Sequence, residues 1–146
     1  MMHWDQRSKL HIAILVDVDG TLAGLYRQGK RELRASAAEA LKLLAQQAPV
    51  FLWSIAGAEN GQRLIEEYPE IRNDVGGSYG KQDFPLHLIK SPFAIDDEEL
   101  DDVVLQCHHV ILNETYEGGE DSGALLKAAQ IVVDAIQRLT HPGHHS

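Results

Sequence analysis

The apolar residues of this chain change their spacing several times along its length, and each change predicts an element. Residues 12–16 (IAILV) are an unbroken run rich in β-branched side chains, the pattern of a strand covered on both faces. Residues 35–48 then place Ala37, Leu41, Leu44 and Ala48 on one helical face, and Pro49 stops that helix. Residues 50–54 (VFLWS) predict a second buried strand, and 60–68 (NGQRLIEEY) a short helix ended by Pro69. A brief third strand is expected near 75–78, a turn or two of helix within DFPLHLI, and a fourth strand at 92–95 running into Asp96 and Asp97. A short helix over 98–106 leads to a fifth strand at 109–113 (HVILN). Residues 124–139 carry the strongest helical period in the chain, and Asp121 or Ser122, in the loop YEGGEDSG before them, is placed to cap that helix. The tail 140–146 is expected to fray. Strand and helix alternate throughout, which argues for an α/β fold with a mostly parallel sheet and helices on both faces.

Length and composition narrow this picture. A chain of 146 residues with 44% hydrophobic content reads as one domain with a sizeable core, spanning about 10–139. Thirteen basic against 22 acidic side chains leave a net charge of −9, a field that repels polyanions. Duplex nucleic acid is therefore not an expected partner. A small phosphate ligand stays open, because a bound cation can dominate the local field. The single cysteine, Cys107, has no internal disulfide partner and suits a reducing compartment as a small core residue. Trp53, inside the second strand, is expected to pack. The N-terminal apolar run is too short for a signal peptide or a membrane span, so a cytoplasmic protein is expected. The acidic run DDEELDD reads as a solvated helix face, and the histidines near the C-terminus are too loosely spaced to specify a metal site.

The polar residues just past each predicted strand carry the chemistry. Ligands of open parallel sheets bind beyond the carboxyl ends of the strands. Asp17 and Asp19 follow the first strand, Ser54 ends the second, Lys81 follows the third, and Asp96 and Asp97 follow the fourth. Four carboxylates, a hydroxyl and an ammonium at one sheet edge suit phosphoryl transfer. A hard cation such as Mg²⁺ takes oxygen ligands and bridges carboxylates to phosphate. Asp17 is placed to attack phosphorus, Asp19 to exchange a proton with the leaving oxygen and with water, and Ser54 and Lys81 to hold phosphoryl oxygens. Gly20 permits a tight turn there, which the Thr21 hydroxyl can brace. A calcium loop of the EF-hand type does not fit, since its glycine belongs at the sixth position and here falls at the fourth.

DVDGT after an apolar strand resembles the first signature of the haloacid-dehalogenase-like hydrolases, DxDG[TV]. VFLWS, ending in Ser54, is similar to the second signature, and FAIDD, ending in Asp96 and Asp97, to the fourth. The resemblance spans about residues 12–139. It implies a Rossmann-like five-stranded sheet within a three-layer α/β/α fold. Asp17 would be nucleophile and metal ligand, and Asp19 general acid/base with its backbone carbonyl on the metal. Ser54 would bind phosphate, and Asp96, Asp97 or both would hold Mg²⁺. For the third signature, a lysine, Lys81 is favoured over Lys90, which lies only six residues before Asp96. The second aspartate points to phosphate esters rather than dehalogenation. Residues 22–34 leave room for only a short hairpin flap, and nothing between Ser54 and Lys81 could be a cap domain. The resemblance is thus to a capless phosphatase whose open site takes a phosphorylated small molecule or macromolecule, or is closed by a neighbouring subunit of an oligomer. A phosphomutase would need a sugar-gripping cap. Two alternatives stand beside the phosphatase: a nucleotidase or polynucleotide-end phosphatase, and a non-catalytic binding or regulatory module. Specificity is expected from the flap, the loop after Ser54 and EGGEDSG.

Overall fold

A computed structural model describes residues 10–98 and 102–141. Its centre is a sheet of five parallel strands in the order β5-β4-β1-β6-β7. These are β1 (Leu10–Asp17), β4 (Val50–Ser54), β5 (Ser78–Gly80), β6 (Ile89–Asp96) and β7 (His108–Ile111). From β1 the chain moves outward to β4 and β5, then returns to lay β6 on the other side of β1. The order therefore reverses at β1, and Val16 is level with Leu52 on one side and Ile95 on the other. This is the three-layer, Rossmann-like α/β architecture expected from the alternating pattern.

The two faces of the sheet are covered differently. On one, Ile14, Val16, Leu52, Phe93 and Ile95 pack into a mainly aliphatic core with α1 (Ala37–Ala45), α2 (Ala58–Glu67) and α3 (Ala124–Thr140). The helices turn Leu41, Leu44, Leu64, Val132 and Ile136 inward at the spacing their sequence dictates. On the other, Ala13, Leu15, Phe51, Trp53 and Ala94 meet Phe84, Val104 and Cys107. Among the described residues the helical cover there is 3-10 turns at Leu86–Leu88 and Val104–Gln106. Aromatic bulk makes up for the thin layer: Phe84 lies 5.3 Å from Phe51 and 6.2 Å from Trp53, ring centre to ring centre, with Tyr79 at 5.1 Å. Trp53 and Cys107 are buried, as expected.

Most elements fall where the pattern places them, and the departures have local causes. The fourth strand starts at Ile89, three residues before the predicted 92, although Pro92 lies within it. Pro92 is level with Ala13 of β1, and β7 only begins opposite Phe93, so the missing N–H costs no ladder bond on that side. The third strand is Ser78–Gly80 rather than 75–78. Of the expected helix over 98–106, residues 99–101 lie outside the described ones, and the rest holds only the 3-10 turn Val104–Gln106. Of the tail, Thr140 belongs to α3, and 142–146 lie outside the described residues. The flap is a hairpin of β2 (Ala23–Arg27) and β3 (Lys30–Leu33). Its two-residue turn needs positive φ at both positions, 53° at Gln28 and 77° at Gly29, which is where the glycine is required. Among the described residues, no helix is long and apolar enough to cross a membrane.

Candidate active site

Asp17 ends β1 and Asp96 ends β6, so two adjacent strands carry their acids to one edge at the point where strand order reverses. Asp97 follows directly. One oxygen from each of Asp17, Asp96 and Asp97 lies within 4.8 Å of the other two. Asp17 is 6% exposed and Asp96 fully buried. Lys81, also buried, sets its Nζ 2.7 Å from Asp96 Oδ2 and 3.5 Å from Asp17 Oδ1. Three of the remaining oxygens are held by donors: Thr21 Oγ1 to Asp17 Oδ2 at 3.1 Å, the Glu98 N–H to Asp96 Oδ1 at 2.9 Å, and Thr115 Oγ1 to Asp97 Oδ2 at 2.8 Å. Gly20, with φ of 81°, makes the close approach possible. A side chain there would collide with the Asp97 carboxylate and come within 2.7 Å of Thr115 Cγ2.

One ammonium does not balance three carboxylates. Burial, reinforced by the neighbouring Asp96 charge and opposed by Lys81, pushes Asp17 well above the ordinary carboxylate range. Burial also raises Asp96, with the hydrogen bond and charge of Lys81 working against it. Full ionisation would therefore leave excess negative charge in a poorly solvated place, which a divalent cation would relieve. Its donors fit one: all are hard carboxylate oxygens, and the separations need only a small contraction to reach the about 3–4 Å between ligand oxygens around an octahedral Mg²⁺. Nothing in the donor set singles out magnesium among hard cations.

Asp19 belongs to a different set. Its side chain is 57% exposed and pairs with the buried guanidinium of Arg31 from β3. Its other oxygen accepts from Asn60 Nδ2 at 2.8 Å. Asn60 also donates to Ser54 Oγ at 2.9 Å, and the Ala56 N–H bonds the same oxygen at 3.1 Å. With both acceptor positions of Ser54 engaged, its O–H is the group left to donate into the cleft. Asp17, Asp19, Ser54, Lys81, Asp96 and Asp97 all line one cleft of about 280 Å³, with Ile55, Thr115, Tyr116 and Glu117 among its other walls. Lys90 is the second residue of β6 and exposed, at the far end of that strand from Asp96.

Three participants escaped sequence reasoning: Arg31, Asn60 and Thr115. Asn60 had a usable signal, since the first turn of a helix that directly follows a strand must lie near that strand's carboxyl end. Arg31 and Thr115 had none, because the first arrives on the hairpin strand β3 and the second on the loop after β7, and no spacing rule ties either to the strand ends. The fold and site define an α/β protein with a buried acidic cluster at the switch point of its sheet. No protein-family model matches this chain, and no curated protein matches it.

Proposed function

We propose that this chain is a Mg²⁺-dependent phosphatase of the haloacid-dehalogenase-like type, hydrolysing a phosphate monoester through an aspartyl-phosphate on Asp17. The observation that carries this reading is the meeting of the Asp17, Asp96 and Asp97 carboxylates with Lys81 at the sheet edge. Asp17, Asp96 and Asp97 would hold the ion, with the Asp19 carbonyl as the resemblance implies. Mg²⁺ would supply charge neutralisation of the phosphoryl oxygens.

The chain's own residues do the rest. An Asp17 oxygen bonds to phosphorus as the ester P–O bond breaks, and Asp19 gives a proton to the departing oxygen. Ser54 and Lys81 hold phosphoryl oxygens as their charge redistributes. Water then attacks phosphorus and passes its proton to Asp19. The acyl P–O bond breaks, inorganic phosphate leaves and the Asp17 carboxylate is restored. A short hairpin in place of a cap leaves the cleft open, which suits a bulky phosphorylated substrate, and the lone buried Cys107 suits the cytoplasm. The test is turnover of an aryl phosphate with Mg²⁺. Wild-type protein should turn over the ester, chelation should silence it, and Asp17→Asn should abolish activity while the fold persists. Equal rates in Asp17→Asn and wild type would remove Asp17 as nucleophile.

A further inference from the structure

Two residues outside the acid cluster tie the hairpin, α2 and both cleft loops into one hydrogen-bonded chain. Asn60, in the first turn of α2, accepts from Arg31 Nη1 on its Oδ1 at 2.8 Å. That contact decides which way the carboxamide is turned. Its Nδ2 then faces Asp19 Oδ2 at 2.8 Å and Ser54 Oγ at 2.9 Å, one acceptor for each of its two hydrogens. Asn60 is thus a spacer of fixed length between Asp19 and Ser54. Arg31 is itself firmly placed. Its Nε donates to the Gly24 carbonyl at 3.2 Å, its guanidinium sits 5.0 Å from the Tyr26 ring centre, and its backbone carbonyl accepts from the Tyr68 hydroxyl of α2's end. An anchored, 1%-exposed cation grips a 57%-exposed carboxylate two residues past the end of β1.

We propose that Asn60 and Arg31 are positioning residues that set the separation between the proton-transferring carboxylate of Asp19 and the phosphate-binding hydroxyl of Ser54; the inference rests on the phosphatase reading. Asp19 and Ser54 must meet the same phosphoryl group, the first at its bridging oxygen and the second at a non-bridging one. The spacer between them decides whether the bridging oxygen lies within reach of the proton. Without Asn60, Ser54 keeps the Ala56 N–H, whereas Asp19 loses one of its two ties.

The dependence on leaving group separates this role from a merely structural one. An alkyl phosphate needs its departing oxygen protonated, and p-nitrophenyl phosphate does not. kcat/KM covers the steps up to departure, so it reports the acid role alone. Asn60→Ala should lower kcat/KM about 30-fold on the alkyl ester and about 3-fold on the aryl ester, through kcat more than KM. Arg31→Lys, which keeps the charge and loses the fork, should show the same inequality. Because Asn60 is half-buried in a first helical turn, its alanine variant should melt close to wild type, and Asn60→Asp provides a second form of the test. Equal losses on both esters, or no loss, would overturn the proposal. Turnover that survives Asp17→Asn, or a wild type inert toward both esters, would instead overturn the phosphatase reading and take this inference with it.

Discussion

Asp17 and Asp96 differ from Asp19 in what holds them. The first two are the last residues of neighbouring central strands, fixed by ladder pairing with Trp53 and Ile111 and buried beside Lys81. Asp19 lies two residues past its strand, more than half exposed, and among the described residues its carboxylate is held by side chains reaching over from β3 and α2. The backbone therefore places one set and long side chains place the other. Changing a residue of the first set should alter charge while leaving geometry, and changing a support of the second should alter geometry while leaving the acid intact.

The largest effect belongs to the ladder-held set. Asp17→Asn keeps the shape of the side chain but removes the attacking charge, so hydrolysis of an aryl phosphate should fall by at least about 10⁴-fold. Circular dichroism should show the fold retained. The melting temperature should hold or rise, because an amide escapes the burial cost that raises the Asp17 carboxyl. A marked loss of stability would mean that the charge of Asp17 supports the sheet edge, and the contrast with Asp19 would fail. Next comes Lys81→Met. It leaves buried Asp17 and Asp96 without the ammonium at 3.5 and 2.7 Å and should cost about 3–5 kcal/mol in denaturant melts of the metal-free protein. Added Mg²⁺ should recover part of that loss. A Lys81→Met protein as stable as wild type without metal would show that the acids do not depend on this cation.

A third effect concerns the ion. At a free concentration about 100 times its dissociation constant, Mg²⁺ should stabilise the fold by about 2.7 kcal/mol. The sign of its pH dependence comes from Asp17 and Asp96, both raised by burial. The folded state holds protons there that the unfolded state has already released. Their contribution to metal-free stability is therefore full below the unfolded carboxylate range and is lost as pH rises through the folded values. Mg²⁺ competes with those protons, so the melting shift it produces should be larger at about pH 8 than at about pH 5. A shift independent of pH would place the ion elsewhere.

This division also explains what could be read from the chain. Asp17, Asp96 and Asp97 were legible because a carboxylate abutting an unbroken apolar run is costly unless used, and because the order of strands brings such ends together. Lys81 was legible because it follows the third predicted strand, and the resemblance, whose third signature is a lysine, favours it over Lys90, only six residues before Asp96. The support of Asp19 was not, because it depends on how the hairpin lies against α2. Arg31 reaches Asn60 across 29 residues of sequence, and no spacing rule covers that. The third strand was misplaced for a related reason. Val75 looks like a strand residue but packs under the sheet edge with the aliphatic core, while pairing with β4 in the ladder begins at Ser78.

A carboxylate with the opposite electrostatics lies outside the cleft and gives the smallest effect. Asp121 precedes α3 and bridges to the start of α1. Its Oδ2 accepts from the Ser36 backbone N–H at 2.8 Å and from the Ser36 hydroxyl, and its Oδ1 from the Gly123 N–H at 2.9 Å. Partial burial pushes its carboxyl up, but the Ser36 and Gly123 hydrogen bonds outweigh that and hold it below the usual range. It is not the helix cap expected from the sequence: the N-cap of α3 is Gly123, without a side-chain cap, and Asp121 holds that residue's N–H while joining two helices that pack on the same sheet face. Asp121→Asn should cost about 1 kcal/mol at neutral pH, the modest end for hydrogen bonds to a partly solvated charge, with kcat/KM unchanged. Because the folded value is depressed, the contribution is present above the unfolded carboxylate range and lost as pH falls through the folded value. The stability gap between wild type and Asp121→Asn should hold steady above about pH 5 and close in more acidic solution. Were the gap instead to widen on acidification, Asp121 would be behaving like Asp17, and its donors would not be what holds its charge.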